Sequence, residues 1–188
     1  TNAYNVAARQ AVLPQNDLSD TDLGERKLGP AIYRYNPAGL LTGALTLDAE
    51  GDPNAQFVFQ IGSQLTTESA SSVLLVNGAS PCNVYWQVGS SAEIGTTTAF
   101  QGNLMALTSI SLQNGATVLG RMLARNGQVS LINNVLTRPL CATGPPSDET
   151  PGGPGTVSPS APETTGSALT PGRARPGRQA KAPRSSRS

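Results

Sequence analysis

Histidine is absent from all 188 residues. That removes the commonest general base, the Ser-His-Asp triad and imidazole ligation of a metal at one stroke. Charged residues are scarce, at 13%, and aromatic residues scarcer, at 4%. No apolar run is long enough to cross a bilayer as a helix, so no membrane span is expected. No glycine-rich phosphate-binding loop occurs. Asp48, Glu50, Asp52 and Asn54 alternate like the opening of a calcium loop, but Pro53 stands where the glycine belongs and Phe59 where the closing Glu belongs. A polar turn is the better reading. A polysaccharide lyase or hydrolase would need carboxylates converging in a groove, and here only Asp48 to Asp52 cluster, within that turn. The chain is therefore read as neither an enzyme nor a cofactor or metal carrier.

What the chain does have is repetition. Ala99-Phe100-Gln101-Gly102-Asn103-Leu104-Met105-Ala106 is echoed 18 residues later by Thr117-Val118-Leu119-Gly120-Arg121-Met122-Leu123-Ala124. Ile110-Ser111-Leu112 returns as Val129-Ser130-Leu131 after 19 residues. Phe57-Val58-Phe59-Gln60-Ile61-Gly62-Ser63 returns after 27 as Val84-Tyr85-Trp86-Gln87-Val88-Gly89-Ser90, the longer spacing leaving room for a loop around residues 77–81. Short alternating strands at a fixed period predict a β-solenoid, one coil per repeat. Asn-Gly pairs at 77, 114 and 126 suit the turns between strands. A β-sandwich with chance similarities is the competing fold, and the matched glycines, Gly62 with Gly89 and Gly102 with Gly120, argue against it.

The chain divides at about residue 142. Residues 1–142 carry seven Lys/Arg and nine Asp/Glu, net −2, and hold every periodic apolar segment; residues 143–188 carry six and three, net +3. The second segment has sixteen Pro or Gly among its 46 positions and almost no large apolar side chains. It cannot offset the entropy of ordering, so it reads as a disordered basic tail. Its cations, without aromatic neighbours, show no nucleic-acid readout but could touch an anionic cell wall. Near the start, Ala3, Ala7, Ala8, Ala11 and Val12 approximate one helical face, stopped by Pro14. Residues 57–61 and 84–88 are apolar on both sides, so this helix is expected to cover them.

Leu45-Thr46-Leu47-Asp48-Ala49-Glu50-Gly51-Asp52-Pro53-Asn54-Ala55, the two Gln-Ile/Val-Gly-Ser segments above and Leu123-Ala124-Arg125-Asn126-Gly127 together resemble the microbial ice-binding-like family. Leu28-Gly29-Pro30-Ala31-Ile32-Tyr33 is similar to its Leu-x-Pro-Gly-Val-Tyr segment, with Ala31 in place of glycine. The resemblance covers residues 1 to about 142. It implies a mainly β fold: an irregular right-handed β-solenoid of triangular section with one α-helix packed alongside. It also implies secreted proteins that adsorb to ice, inhibit its recrystallisation or anchor cells to it. Members carry further coils before the helix, so the chain is expected to be an N-terminally truncated, monomeric module whose missing coils leave an apolar edge open.

Ice adsorption requires a flat face of small uncharged side chains, because long charged chains hydrate strongly and disturb ordered water. Strand alternation places Leu45/Leu47, Val73/Leu75, Ile110/Leu112 and Val129/Leu131 inward and turns Ala44, Thr46, Ser72, Leu74, Ser109, Ser111, Gln128 and Ser130 outward. These eight are the candidate ice-binding face, expected to lie together. A surface adhesin or scaffold of the same fold, binding carbohydrate without ice activity, is the alternative. Cys82 and Cys141 are compatible with a disulfide of a secreted protein, the other reading being two unpaired thiols.

Overall fold

A computed structural model of the chain describes residues 2–141. Every strand in it pairs in parallel with an adjacent coil, and successive coils build three ladders. The first ladder is formed by β1 (Lys27–Leu28), β4 (Ala44–Asp48), β7 (Ser72–Val76), the first halves of β10 (Ala99–Ala106) and β12 (Thr117–Ala124), and β14 (Val135–Thr137). It is called the open face below. The second, the helix face, contains β2 (Ala31–Tyr35), β5 (Phe57–Ile61), β8 (Val84–Val88) and the second halves of β10 and β12. The third contains only three-residue strands: β3 (Gly39–Leu41), β6 (Leu65–Thr67), β9 (Ala92–Ile94), β11 (Ile110–Leu112) and β13 (Val129–Leu131). The chain folds as a mainly β solenoid with one helix.

The sequence echoes are the coil register itself. Ala99 to Ala106 pair one-for-one with Thr117 to Ala124, and Phe57 to Ile61 with Val84 to Val88. The matched glycines mark corners where coils touch through backbone. A Cβ on Gly120 would lie 1.8 Å from the Gly102 carbonyl oxygen, and one on Gly89 would lie 2.1 Å from that of Gly62. Gly102 has φ +112°, a corner that an L side chain resists.

Inside, like stacks on like. Tyr33, Phe59 and Trp86 occupy one register position on three successive coils, with ring centroids 5.4 and 4.0 Å apart, and Phe100 meets Trp86 from the next coil at 5.2 Å. Aliphatic columns such as Leu45–Val73 and Ala92–Ile110 fill the rest of a core that excludes water. Burial of these side chains at about 2 kcal/mol each is what makes short strands hold.

Helix α1 (Asn2–Arg9) lies over the helix face, where Tyr4 and Ala7 pack with Ile32, Val58, Tyr85 and Met105. Docking there agrees with the doubly apolar strands. The helix is shorter than its alanine stripe predicts, however, and Ala3, Ala8 and Ala11 are exposed. Hydrogen bonds set its rotation and its end. Gln60 Nε2 donates to the carbonyls of Ala7 and Gln10, both at 2.8 Å, and Gln87 Nε2 donates to the Tyr4 hydroxyl at 2.9 Å. Two buried glutamines at one register position therefore satisfy the helix's terminal carbonyls and grip its first turn.

The two ends of the stack differ. Residues 17–28 close one end with a polar coil bridged to the next through Asp17–Arg34 and Asp22–Leu40. At the other end Leu131 and Leu136 are 53% and 43% exposed, although their register partners Leu112 and Val118 are almost fully buried. An apolar coil edge stands open at the last described coil. Cys82, in a 3-10 turn (Pro81–Asn83), lies 2.02 Å from Cys141 sulfur to sulfur, which ties the segment after β14 to the coil that carries β8. Residues 142–188, and with them the expected disordered basic tail, lie outside the described residues.

Candidate functional site

The solenoid offers two faces not covered by the helix, and they differ in chemistry. On the open face, register puts Ala44, Ser72, Ala99, Thr117 and Val135 in one outward column. The second column runs Thr46, Leu74, Gln101, Leu119 and Thr137, with Gln101 two residues along from Ala99 on the same side. Neighbours within a column are about 4.8 Å apart, and the columns about 6.6 Å. None of these ten side chains is charged. The inward partners Leu45, Val73, Phe100 and Val118 are buried and hold the strands level.

Charge enters this face on β1, where Lys27 precedes Thr46 in the second column ahead of the five rungs, and at its margin. Lys27 donates to Asp48 Oδ2 at 2.6 Å, while Asp48 Oδ1 accepts from the Glu50 amide and from Asn77 Nδ2, both at 2.8 Å. The Lys27 ammonium first, then these two donors, hold the Asp48 carboxyl down at about 2. The aspartate that opens the calcium-like pattern is thus a corner clamp joining β1, β4 and the turn after β7. Among the described residues the Asp52 carboxylate accepts from the Asn54 amide nearby. Among the described residues no three His, Cys, Asp or Glu side chains are placed to hold a metal.

The short-strand face presents one outward column: Leu40, Thr66, Glu93, Ser111 and Ser130. Ser109 and Gln128 flank it, Gln128 donating to Ser130 Oγ at 3.1 Å. Glu93 stands at the centre of the column and accepts from Gln113 Nε2 at 2.9 Å. A carboxylate in the middle of five rungs binds water in its own strong geometry.

The expectation that eight residues form one face is corrected by this topology. Ala44, Thr46, Ser72 and Leu74 lie on the open face, whereas Ser109, Ser111, Gln128 and Ser130 lie on or beside the short-strand face. Alternation distinguishes inside from outside, but all three sides of a solenoid alternate alike, so it cannot say which side a strand belongs to. Ala99, Gln101, Thr117, Leu119, Val135 and Thr137 were missed for a related reason. The eight-residue strands β10 and β12 bend at Gly102 and Gly120 and serve two faces each, so their first halves continue the ladder of β4 and β7. The doubled length of that echo was the signal.

A parallel β-solenoid with one flanking helix is the class of fold that these elements define. The chain belongs to the ice-binding-like family, whose profile matches residues 1–137. An ice-binding protein of Nostoc sp. (strain HG1) is 50% identical over 144 residues, covering 76% of this chain and 52% of that protein. Among solved structures, an ice-binding protein from the Antarctic ascomycete Antarctomyces psychrotrophicus superposes with a TM-score of 0.69 at 37% identity, covering 72% of this chain and 66% of that one. The corresponding domain of ice-binding protein 1 from Shewanella frigidimarina gives 0.66 at 36% identity, covering 73% and 59%. The chain spans about half the length of the Nostoc relative.

Proposed function

We propose that the chain binds ice, and that it does so through the open face rather than the short-strand face. The observation that carries this reading is the pair of in-register columns from Ala44/Thr46 to Val135/Thr137, uncharged through five rungs. Threonine, serine and glutamine groups can anchor surface waters by single hydrogen bonds, while alanine, leucine and valine methyls order their neighbours without competing for them. Parallel pairing repeats that pattern at one fixed spacing, which a crystal lattice of water can meet along a line. Of the eight residues expected at the sequence level, this reading retains Ala44, Thr46, Ser72 and Leu74 and adds Ala99, Gln101, Thr117, Leu119, Val135 and Thr137. The ice surface is the partner, and a bridge between Cys82 and Cys141 fits a secreted protein.

The test compares Ala99→Tyr with Ser111→Tyr. Ala99 is the third of five rungs, so an erect ring there leaves at most two adjacent rungs level on either side. Each protein is checked for fold by circular dichroism and then partitioned into a slowly growing ice hemisphere. Exclusion of Ala99→Tyr with incorporation of Ser111→Tyr supports the open face. The opposite result assigns the short-strand face. Exclusion of the folded parent chain would refute ice binding by this module altogether.

A further inference from the structure

The three Asn-Gly pairs are chemically alike and structurally unlike, and we infer that Asn126 is a site of spontaneous covalent modification while Asn77 and Asn114 are protected. In such a pair the amide nitrogen of glycine can attack the asparagine side-chain carbonyl carbon. The new N–C bond closes a succinimide, the bond to Nδ2 breaks, and ammonia leaves with the proton from the attacking nitrogen. Water then opens the ring to aspartate or isoaspartate, so nothing but water is consumed. Two conditions govern the rate: a side chain free to turn onto the next residue, and a glycine nitrogen not already engaged.

Asn77 fails the first condition, since its Nδ2 is held by Asp48 Oδ1 at 2.8 Å and its backbone sits at φ +52°. Asn114 fails the second, because Gly115 N donates to Ile132 O at 3.3 Å, and Asn114 Oδ1 also accepts from Asn133. Asn126 meets both. Its side chain is exposed and has no hydrogen-bond partner among the described residues, and Gly127 N likewise has none. The only hydrogen bond at Asn126 is through its own amide, to Leu107 O at 3.1 Å. That bond does not restrain the reacting atoms.

The modification would place a carboxylate at the corner between β12 and β13. In the isoaspartyl form an extra methylene enters the main chain two residues before Gln128, whose carbonyl accepts from Ile110 N and starts the β11–β13 ladder. The last short strand should loosen, and the open face should not change.

The experiment is incubation of the folded chain at mildly alkaline pH, with peptide mapping by mass spectrometry over time. Conversion at Asn126 is expected to run about tenfold faster than at Asn77, the slowing that a charge-assisted hydrogen bond imposes when it must break first. An Asn126→Gln chain should lose the fast phase of ammonia release and keep the slow ones. Equal rates at the three sites, or a fast phase that survives Asn126→Gln, would overturn the assignment. A chain unfolded in urea is the control, and there the three rates should converge. If they keep the folded order, sequence rather than structure sets it and the inference fails.

Discussion

Reducing the bridge between Cys82 and Cys141 tests how much of the solenoid's stability lies in one covalent tie. The two residues are 59 apart in sequence, and the chain between them runs through β8 to β14. Closing a loop of that length removes chain entropy from the unfolded state worth about 4 kcal/mol at room temperature. Little in the last coil compensates for its loss, because Leu131, Val135 and Leu136 bury only part of their surface. For a unit of this size each kcal/mol moves Tm by about 3 °C, so the reduced form should melt about 12 °C lower. The measurement is a circular-dichroism melt of oxidised protein, of protein held in reductant, and of a Cys82→Ser/Cys141→Ser chain. The two bridge-free samples should agree with each other. Hydrogen exchange should show β13 and β14 opening first, since Leu131, Val135 and Leu136 are exposed apolar residues of those strands. Melting temperatures within about 2 °C of the oxidised protein would refute the reasoning, because they would mean the unfolded ensemble gains no freedom from the cut.

Asp48 gives a pH-dependence of known sign. Its carboxyl sits at about 2 in the fold against 3.8 ordinarily, so its contribution is present above about pH 4 and lost as pH falls toward 2. Acid melts of Asp48→Asn should therefore be less stable than the parent at neutral pH but flatter across that window. Gly120→Ala should cost about 3 kcal/mol, because its Cβ would strike the Gly102 carbonyl, whereas Gly51→Ala, with nothing within 4 Å, should cost only the strain of φ +88°, about 1 kcal/mol. Chemical denaturation of the two variants decides between them. Gln60→Met leaves the carbonyls of Ala7 and Gln10 without their donor, a loss of about 2 kcal/mol that should appear as faster amide exchange across residues 2–10.

Legibility followed from translation along the stack. Wherever two coils carry similar residues at one register position, as at Phe59 and Trp86 or Gly102 and Gly120, the repeat was visible in the sequence and the pairing is as the spacing implies. Rotation about the stack was not legible. Ile110-Ser111-Leu112 and Leu45-Thr46-Leu47 share an alternation because each has one side on the core, yet they belong to different faces. The helix shows a second limit. Alanine periodicity found its existence and the doubly apolar strands at 57–61 and 84–88 the surface it covers, but its end is set by Gln60, which is 50 or more residues distant in sequence. Side-chain hydrogen bonds between remote elements leave no periodic trace, and neither does the Lys27–Asp48 clamp.

The strands of the proposed ice-binding face are held from both sides of a corner. β10 and β12 cross a corner without interruption, each giving one half to the open face and the other to the helix face. On one side of Gly102 the strand is fixed by Met105 under the helix; on the other Phe100 is seated against Trp86 in the aromatic stack. The Trp86 indole also donates to Gln101 O at 3.1 Å, a bond from the core directly to the open-face strand. The short strands are three residues each and bounded by turns, and buried side chains reach them too: Ser71 Oγ donates to Leu41 O at 3.0 Å, and Thr67 Oγ1 accepts from Gly95 N at 2.8 Å. What sets the proposed face apart is its run of uncharged rungs from Ala44/Thr46 to Val135/Thr137, where the short-strand column carries Glu93 at its centre. A surface that must match a crystal over several rungs cannot hold a carboxylate among them, since that group orders water in its own geometry.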